Sequence, residues 1–301
     1  MPSPSSRERW LLPLGLFILS VIWGYSWVLS KQALTHAPPF AFAAERSLGG
    51  ALALFLALKL MGRPLRLIAP AATLAIGFFQ ITCFMALSTW ALVEGGPGKT
   101  AVLIFTMPIW VLLLAWPILG ERIRGTQWLA AASTLTGLLL IIEPWNMHTS
   151  LLSKFLGVLA ALSWAIGTVL VKRLRAKQQV DLLSMTTWQM LIGAVPLVVL
   201  AAVIPERPTD WSAAYIGILA FMSVISTALC WWLWITLLDR VPAWEASLSV
   251  LGTPVVAIVS SRLMMGEEFK LSEAMGILLI GTGLALLSLI GWAASRRSAM
   301  K

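Results

Sequence analysis

The sequence TAVLIFTMPIWVLLLAWPILGERI, residues 100–123, has a counterpart later in the chain, ASLSVLGTPVVAIVSSRLMMGEEF at residues 246–269. The matching positions lie 146 residues apart and are Pro108 with Pro254, Gly120 with Gly266, Glu121 with Glu267 and Gly137 with Gly283. An ordered set of matches at one spacing indicates an internal duplication. We therefore predict two homologous halves, at residues 10–143 and 152–292.

The composition is typical of a membrane protein. Of the 301 residues 59% are hydrophobic and 12% are charged, and the mean hydropathy is +0.87. Soluble domains carry roughly 25% charged residues. The net charge of +9 would suggest nucleic acid in a soluble protein, but here it indicates orientation in a membrane, so no nucleic-acid partner is predicted. Cys83 and Cys230 fall in apolar stretches and are predicted to be reduced thiols.

Apolar stretches of about 20 residues, the length that crosses a hydrocarbon core of about 30 Å, recur along the chain. The predicted spans are 11–31, 39–59, 70–91, 100–119, 126–142, 152–172, 183–203, 213–237, 243–264 and 273–292. The predicted fold class is thus all-α, a polytopic membrane protein with ten transmembrane helices. Because each half holds an odd number of spans, the halves enter the membrane in opposite senses, as two inverted five-helix repeats.

Basic residues are unevenly distributed between the predicted loops. If both termini are cytoplasmic, the inner loops hold fifteen of them and the outer side holds six. The inner ones are Arg7, Arg9, Lys59, Arg63, Arg66, Arg122, Arg124, Lys172, Arg173, Arg175, Lys177, Arg240, Arg296, Arg297 and Lys301. The outer ones are Lys31, Lys99, Lys154, Arg207, Arg262 and Lys270. Because basic residues favour the cytoplasmic side, we predict cytoplasmic termini and an inner-membrane location.

Two long segments resemble the EamA-type repeats of the drug/metabolite transporter superfamily. They are PIWVLLLAWPILGERIRGTQWLAAASTLTGLLLII from Pro108 and PVVAIVSSRLMMGEEFKLSEAMGILLIGTGLALLSL from Pro254. The resemblance covers nearly the whole chain, and Arg46 matches the arginine of the family's second helix. It implies a ten-helix exporter of small metabolites, with amino-acid exporters, aromatic amino-acid exporters among them, and drug-efflux proteins as branches. The second half departs from the first in having Trp188-Gln189 in place of Glu45-Arg46, and the motifs do not identify a substrate.

Four charged residues are candidates for a role in a pathway or in coupling. Glu45 and Arg46 lie inside the second span, where a charge at the bilayer centre costs roughly 2.5–3.5 kcal/mol, so we expect them to face protein or a wet cavity. They serve either to hold a neighbouring helix or to handle substrate or protons. Lys99 and Glu245 begin the fourth and ninth spans, as the outer and inner mouths of one pathway or simply as the ends of helices.

Several aromatic and amide side chains fall near the middle of their spans, where an indole has no interfacial reason to lie. We predict that they line a substrate cavity, although packing in the core or against lipid is the alternative for any single tryptophan. The predicted substrate-binding residues are Trp23, Gln80, Trp110, Trp164, Trp188, Gln189 and Trp231. Trp23 and Trp164 are repeat partners, which predicts that they approach the axis between the halves together.

Pro108 and Pro254 are predicted to interrupt their helices. Each removes one backbone hydrogen bond and frees the carbonyl four residues earlier, that of Ile104 or Val250. Bending at these points would gate the two sides of the membrane, and a static kink that serves packing is the alternative.

The sequence predicts a secondary transporter that exports small metabolites, above all neutral or aromatic amino acids, by alternating access. Efflux of hydrophobic cations or drugs is the alternative, for which Glu45 and the indoles would supply charge and cation–π attraction. An intramembrane enzyme is a remote alternative, since no H-E-x-x-H or G-x-S-x-G motif occurs and both histidines, His36 and His148, lie in predicted outer loops. We therefore predict no enzyme, cofactor or metal. The sequence does not indicate an oligomeric state.

Active export would require either ATP hydrolysis or coupling to an ion gradient. No G-x-x-x-x-G-K-[ST] motif occurs, so the chain does not hydrolyse ATP by itself. Proton antiport would need a carboxylate reachable from each side, for which Glu45 is the first candidate and Glu245 the second. Burial would raise the pKa of such a group while a nearby cation would oppose the shift. We favour facilitated, uncoupled export.

The predicted topology can be tested with single cysteines. It places Trp145 outside and Arg297 inside, because five spans separate the cytoplasmic N-terminus from Trp145. In a background with Cys83→Ala and Cys230→Ala, an impermeant maleimide should label Trp145→Cys on spheroplasts. Arg297→Cys should react only after permeabilisation. Labelling of both positions from the same side would contradict the inverted arrangement.

Overall fold

A computed structural model of the chain describes residues 6–63, 65–120, 123, 125–145, 150–238 and 252–299. Within these ranges every regular element is helical. The helices are α1 (Ser6–His36), α2 (Pro39–Leu60), α3 (Pro70–Gly77), α4 (Phe84–Glu94), α5 (Pro97–Ile104), α6 (Met107–Leu119), α7 (Thr126–Ile142), α8 (Leu151–Arg175), α9 (Leu182–Val203), α10 (Ala213–Ala220), α11 (Cys230–Leu238), α12 (Gly252–Met265) and α13 (Leu271–Ala299). Two π-helical segments, Phe78–Cys83 and Phe221–Leu229, join α3 to α4 and α10 to α11 as continuous rods.

The chain is a polytopic, all-helical membrane protein. Its described part holds eight helical stretches long and apolar enough to cross a membrane, and two shorter apolar helices, α7 and α12. Their outward faces carry large apolar side chains such as Leu52, Leu56 and Val199, so the helices are apolar all round, as lipid-embedded helices are. The predicted span at 243–264 is described only from Gly252 onward, and the arrangement as ten helices in two inverted halves stays a prediction.

The glycines of the duplicated motif mark the ends of two helices. Gly120 follows α6 with a φ of +71°, and Gly266 follows α12 with a φ of +66°. Glycine adopts this left-handed conformation without the steric penalty of a Cβ and commonly ends helices in this way. The backbone therefore explains why the same residue stands at both positions.

The first proline of the motif lies in the first turn of its helix. The chain breaks between α5 and α6, and Pro108 is the second residue after the break. Pro254 is the third described residue of α12, and the residues just before Gly252, among them Val250, whose carbonyl it was predicted to free, lie outside the described residues. Proline is tolerated in a first turn because the missing N–H has no intrahelical partner there.

Helices of the two predicted halves pack against each other, some at corresponding positions and some in reciprocal pairs. Helix α2 packs on α9 and α7 packs on α13, while α1 packs on α12 and α8 packs on α5 and α6. The α7–α13 contact is so close that a Cβ built on Gly276 would lie 2.6 Å from the carbonyl oxygen of Gly137. Ser133 donates a hydrogen bond of 2.8 Å to the carbonyl of Leu279 across this contact. Small residues allow such an approach between membrane helices.

The α7–α13 contact predicts a position-specific effect of adding one methyl group. Gly276→Ala should destabilise the protein by about 1–3 kcal/mol, because the contact with Gly137 leaves no room for a Cβ and the helices must separate. Gly281→Ala is the matched control on the same helix, since a Cβ there meets nothing within 4 Å. Thermal unfolding in detergent should show a lower melting temperature for Gly276→Ala alone. Equal melting temperatures for the two variants would contradict the packing argument.

Candidate substrate cavity

A cavity of about 650 Å³ lies between helices of both predicted halves. Its lining comes from α1, α2, α4, α5, α6, α8, α9, α11 and α13, from both π-helical segments and from the break between α5 and α6. We call it the central cavity. It contains five of the seven residues predicted to bind substrate, which are Trp23, Gln80, Trp164, Gln189 and Trp231.

Indole rings form one wall of the central cavity. The ring of Trp231 lies 6.4 Å from that of Trp23 and 5.5 Å from that of Trp164, centroid to centroid. Trp231 thus joins the two repeat partners in one aromatic surface. Trp234 packs 5.9 Å from Trp23 and Phe84 packs 4.8 Å from Trp164. Such a surface binds flat, apolar groups over a large area.

The two π-helical segments hold the walls of the cavity in place. The indole N–H of Trp23 donates to the carbonyl of Ser226, in the second segment, at 3.0 Å. The hydroxyl of Ser163 on α8 donates to the carbonyl of Phe79, in the first segment, at 2.7 Å. A π-helical turn disturbs the regular backbone ladder and is common at functional sites. Neither segment contains glycine or proline, so the sequence carries no helix-breaking signal that would have predicted it.

The charged side chains in the described lining are all basic. Arg46, Lys172 and Arg175 line the central cavity, and none of its described lining residues is Asp or Glu. The Nε of Arg46 lies 3.4 Å from the hydroxyl of Thr227, and Arg46 forms no ion pair with any carboxylate in the described ranges. A guanidinium that is removed from bulk water and lacks a counter-ion favours an anionic ligand.

The carboxylate next to Arg46 in sequence lies outside the cavity. Glu45 accepts hydrogen bonds from the hydroxyls of Tyr215 and Thr209, the latter at 3.3 Å. Neighbouring side chains on a helix diverge by about 100°, so Glu45 faces α10 where Arg46 faces the cavity. Glu45 therefore ties α2 to α10 and to the connection before it.

Two other predicted substrate residues also lie outside the cavity. Trp188 precedes Gln189 and so faces away from it, with its indole N–H 3.4 Å from the carbonyl of Leu65 and its ring 5.0 Å from Phe55. Trp110 is turned into the core and donates to the hydroxyl of Thr106 at 3.1 Å. The sequence indicated how far along its span each tryptophan lies, but it did not indicate which way the indole points.

The remaining candidates divide between the cavity and its surroundings. Pro108 lines the cavity, whereas Pro254 and Lys99 are not among the lining residues. Glu245 lies outside the described residues. In the described ranges no group of three or more His, Cys, Asp or Glu side chains is placed to hold a metal ion.

The end of the bundle near Lys99 is held together by charged contacts. The Lys99 ammonium lies 2.9 Å from the carboxylate of Glu273 on α13. Glu267, just after α12, accepts hydrogen bonds from the backbone N–H groups of Gly98 at 2.8 Å and Lys99 at 3.2 Å, and from the hydroxyl of Ser261. A carboxylate at a helix N-terminus is stabilised by unpaired N–H donors and by the helix dipole. These contacts fasten the start of α5 to α12 and α13.

The central cavity extends to the opposite end of the bundle. Its lining includes Lys172 and Arg175, in the last turn of α8, but no residue of the turn from Gly95 to Lys99. The start of α8 packs beside that turn, since Ser153 donates to the carbonyl of Ala91. A helix of 25 residues is about 37 Å long, so the two groups of charges lie at opposite faces of a membrane.

A second charged cluster lies beside Glu45, in the connection between α9 and α10. Glu206 accepts from the backbone N–H groups of Phe40 and Ala41, at 3.2 and 3.3 Å, and so caps the start of α2. Asp210 lies 3.0 Å from Nδ1 of His36, and this hydrogen bond lowers the pKa of Asp210. The cluster fixes the connection against the ends of α1 and α2.

Apolar helices that surround a cavity with polar and aromatic walls define a membrane transporter. Residues 11–143 and 151–289 match the EamA-like transporter family. The chain belongs to this family, which confirms the resemblance to the drug/metabolite transporter superfamily.

Relatives of the chain carry transporter names. It is 31% identical over 277 residues to YoaV of Bacillus subtilis (strain 168), an uncharacterized transporter, covering 90% of this chain and 94% of the relative. It is 27% identical over 292 residues to a "Probable amino-acid metabolite efflux pump" of Escherichia coli (strain K12), covering 93% and 94%. A solved crystal structure with 16% identity has the same fold, with a TM-score of 0.65 over 93% of this chain and 96% of that one.

The contacts of Glu267 predict a loss of stability when its charge is removed. Glu267→Gln should cost on the order of 1–2 kcal/mol, because charge-assisted hydrogen bonds to the start of α5 become neutral ones. Glu268→Gln is the matched control, since the side chain of Glu268 is 87% exposed and lies 3.8 Å from Arg262. The melting temperature in detergent should fall for Glu267→Gln and stay unchanged for Glu268→Gln. A fall for both variants would show a general charge effect instead.

Proposed function

We propose that the protein is a secondary transporter that exports small neutral or aromatic amino acids across the inner membrane by alternating access. The observation that carries this proposal is Arg46, which lines an aromatic-walled cavity with no carboxylate among its described lining. The volume of about 650 Å³ suits a ligand of amino-acid size with its water, since ligand pockets span about 300–1,000 Å³. The printed name of the Escherichia coli relative points the same way.

The carboxylate and the side chain of an aromatic amino acid each have a counterpart in this cavity. The planar guanidinium of Arg46 binds a carboxylate through two parallel hydrogen bonds. The rings of Trp23, Trp164 and Trp231 offer an apolar surface for the side chain. Binding by both groups favours substrates that carry a carboxylate and an apolar or aromatic side chain on one small molecule.

Efflux of hydrophobic cations is less well supported. Such a substrate needs an anionic group in its cavity, but the charges of the described lining are those of Arg46, Lys172 and Arg175. Glu45, the carboxylate considered for that role, is bound by Tyr215 and Thr209 outside the cavity. Like charges would repel the cation.

The packing pattern supports two inverted five-helix halves. Pairs α2–α9 and α7–α13 join helices at corresponding positions of the two halves. The other contacts are reciprocal: α1, the first span of one half, packs on α12, the fourth of the other, and α8 packs on α5 and α6 in the same way. Reciprocal pairing of this kind is expected when two repeats are related by an axis in the membrane plane. The bias of basic residues supports a cytoplasmic position for both termini and for Lys172 and Arg175.

The proposed orientation assigns the two ends of the cavity to the two sides of the membrane. With Lys172 and Arg175 at the inner side, the cavity loads from the cytoplasm while the contacts of Lys99 and Glu267 close the outer side. Separation of these contacts would open the outer side and release the substrate. Export is proposed to be uncoupled, because Glu45 does not line the cavity and the described lining offers no other carboxylate.

The proposal predicts that Arg46 is required for transport. Arg46→Gln should lower the flux of labelled amino acids into proteoliposomes by about 10- to 100-fold, because the substrate carboxylate loses a charged partner in a cavity of low dielectric. Arg46→Lys should keep part of the flux, since the charge remains but the bidentate geometry is lost. A panel of labelled amino acids identifies which ones the wild type carries.

Arg63→Gln is the control, because Arg63 is exposed in the connection after α2 and does not line the cavity. An imposed pH gradient should leave the flux unchanged. Accumulation against a substrate gradient driven by protons would overturn uncoupled export. Transport of tetraphenylphosphonium but of no amino acid would overturn the proposed substrate class.

A further inference from the structure

One hydrogen-bond acceptor in the wall of the central cavity has no partner among the described residues. The Oε1 atom of Gln189, a lining residue that is 1% exposed, is buried and accepts no hydrogen bond from the described part of the chain. Of the four such side-chain atoms in the described residues, only this one and the hydroxyl of Ser226 belong to residues that line the cavity. A buried acceptor without a donor costs about 1–3 kcal/mol, so the site favours a ligand that supplies one.

A chain of hydrogen bonds fixes which atom of the Gln189 amide is left over. The Thr168 hydroxyl donates to the backbone carbonyl of Trp164 at 3.0 Å. A carbonyl oxygen only accepts, so the Thr168 oxygen accepts in turn from Nε2 of Gln80, at 3.2 Å. The Oε1 of Gln80 then accepts from Nε2 of Gln189 at 3.3 Å. The remaining polar atom of Gln189 is therefore an acceptor.

Corresponding positions of the two halves thus place groups of opposite polarity in the wall of the cavity. Arg46 on α2 and Gln189 on α9 match each other in the duplicated sequence, and these helices pack together. Arg46 offers only donors, and Gln189 offers an acceptor whose direction is fixed by the relay to Trp164. A zwitterion carries the complementary pair, with an acceptor carboxylate and a donor ammonium on one carbon.

We propose that Gln189 Oε1 accepts a hydrogen bond from the α-ammonium group of the substrate, and that it selects free amino acids over carboxylates that lack the amine. This inference rests on the proposed function of amino-acid export. Thr168 does not touch the substrate in this scheme; it is a positioning residue that sets the polarity of both amides. Arg46 alone would accept any small carboxylate, so discrimination by the amine requires Gln189.

Equilibrium binding of L-phenylalanine and of 3-phenylpropionate, which lacks the amine, tests the proposal on purified protein. The wild type should bind L-phenylalanine about tenfold more tightly than 3-phenylpropionate, because only L-phenylalanine has an amine that can donate to Gln189. Gln189→Leu should weaken L-phenylalanine about tenfold and leave 3-phenylpropionate nearly unchanged, so that the preference disappears. Thr168→Val should lower the preference as well, since without the hydroxyl both amides are able to reverse.

Thr187→Val is the matched control on the same helix. Its hydroxyl donates to the carbonyl of Leu183 within α9 and Thr187 does not line the cavity, so the preference should stay as in the wild type. Thr168→Val also keeps the test valid if Gln189→Leu fails to fold. Equal binding of the two ligands by the wild type would overturn the role of Gln189 and leave amino-acid export intact. Failure of the wild type to bind either ligand would count against the proposed aromatic substrate instead.

Discussion

A guanidinium inside an apolar bundle sets the constraint on which the central cavity depends. Moving an arginine to the middle of a bilayer costs roughly 2.5–3.5 kcal/mol on insertion scales, and the cost rises when no counter-ion accompanies it. Arg46 is placed where α2 meets the second π-helical segment, with Thr227 as its nearby polar partner. Arg46 also lines the cavity. A buried guanidinium without a counter-ion favours the binding of an anion, and a bound anion stabilises the folded protein.

The other contacts between helices are of two kinds: close packing that is rigid, and polar contacts that water can replace. Helices α7 and α13 meet backbone to backbone at Gly137 and Gly276, where the surface leaves no space for adjustment. The ion pair between Lys99 and Glu273 and the capping bonds of Glu267 join helix ends through polar groups. Polar contacts at a membrane surface are readily replaced by contacts to water, whereas close packing inside the bundle is not. We therefore expect the α7–α13 pair to act as a frame, with movement concentrated at the ends of α5 and α12.

Much of this organisation could be predicted from the sequence because it follows from local or additive properties. The spans follow from apolar runs, and the boundaries of α2 differ from the predicted 39–59 by a single residue. The family follows from the duplicated motif, whose glycines are required by the positive φ angles at Gly120 and Gly266.

The direction of a side chain was harder to predict. Glu45 and Arg46 are adjacent, as are Trp188 and Gln189, and in each pair only the second residue lines the cavity. Which of two neighbours faces inward depends on the rotation of the helix, and an apolar sequence on all faces leaves that rotation undetermined. The relay from Gln189 through Gln80 joins residues 109 positions apart, and no local pattern indicates such a contact.

The neutrality of Gln189 bears on turnover as well as on selectivity. An exporter must release its substrate, so each contact has to be favourable enough to select and weak enough to break. A glutamate at this position would bind the ammonium more strongly, but its charge would also attract the Arg46 guanidinium, and the substrate would have to compete with that attraction. An amide whose acceptor is fixed by the relay avoids this competition, because it leaves Arg46 unpaired. For the proposed zwitterionic substrate, the two halves of the duplication would thus differ in a useful way, with donors contributed by one half and an acceptor by the other.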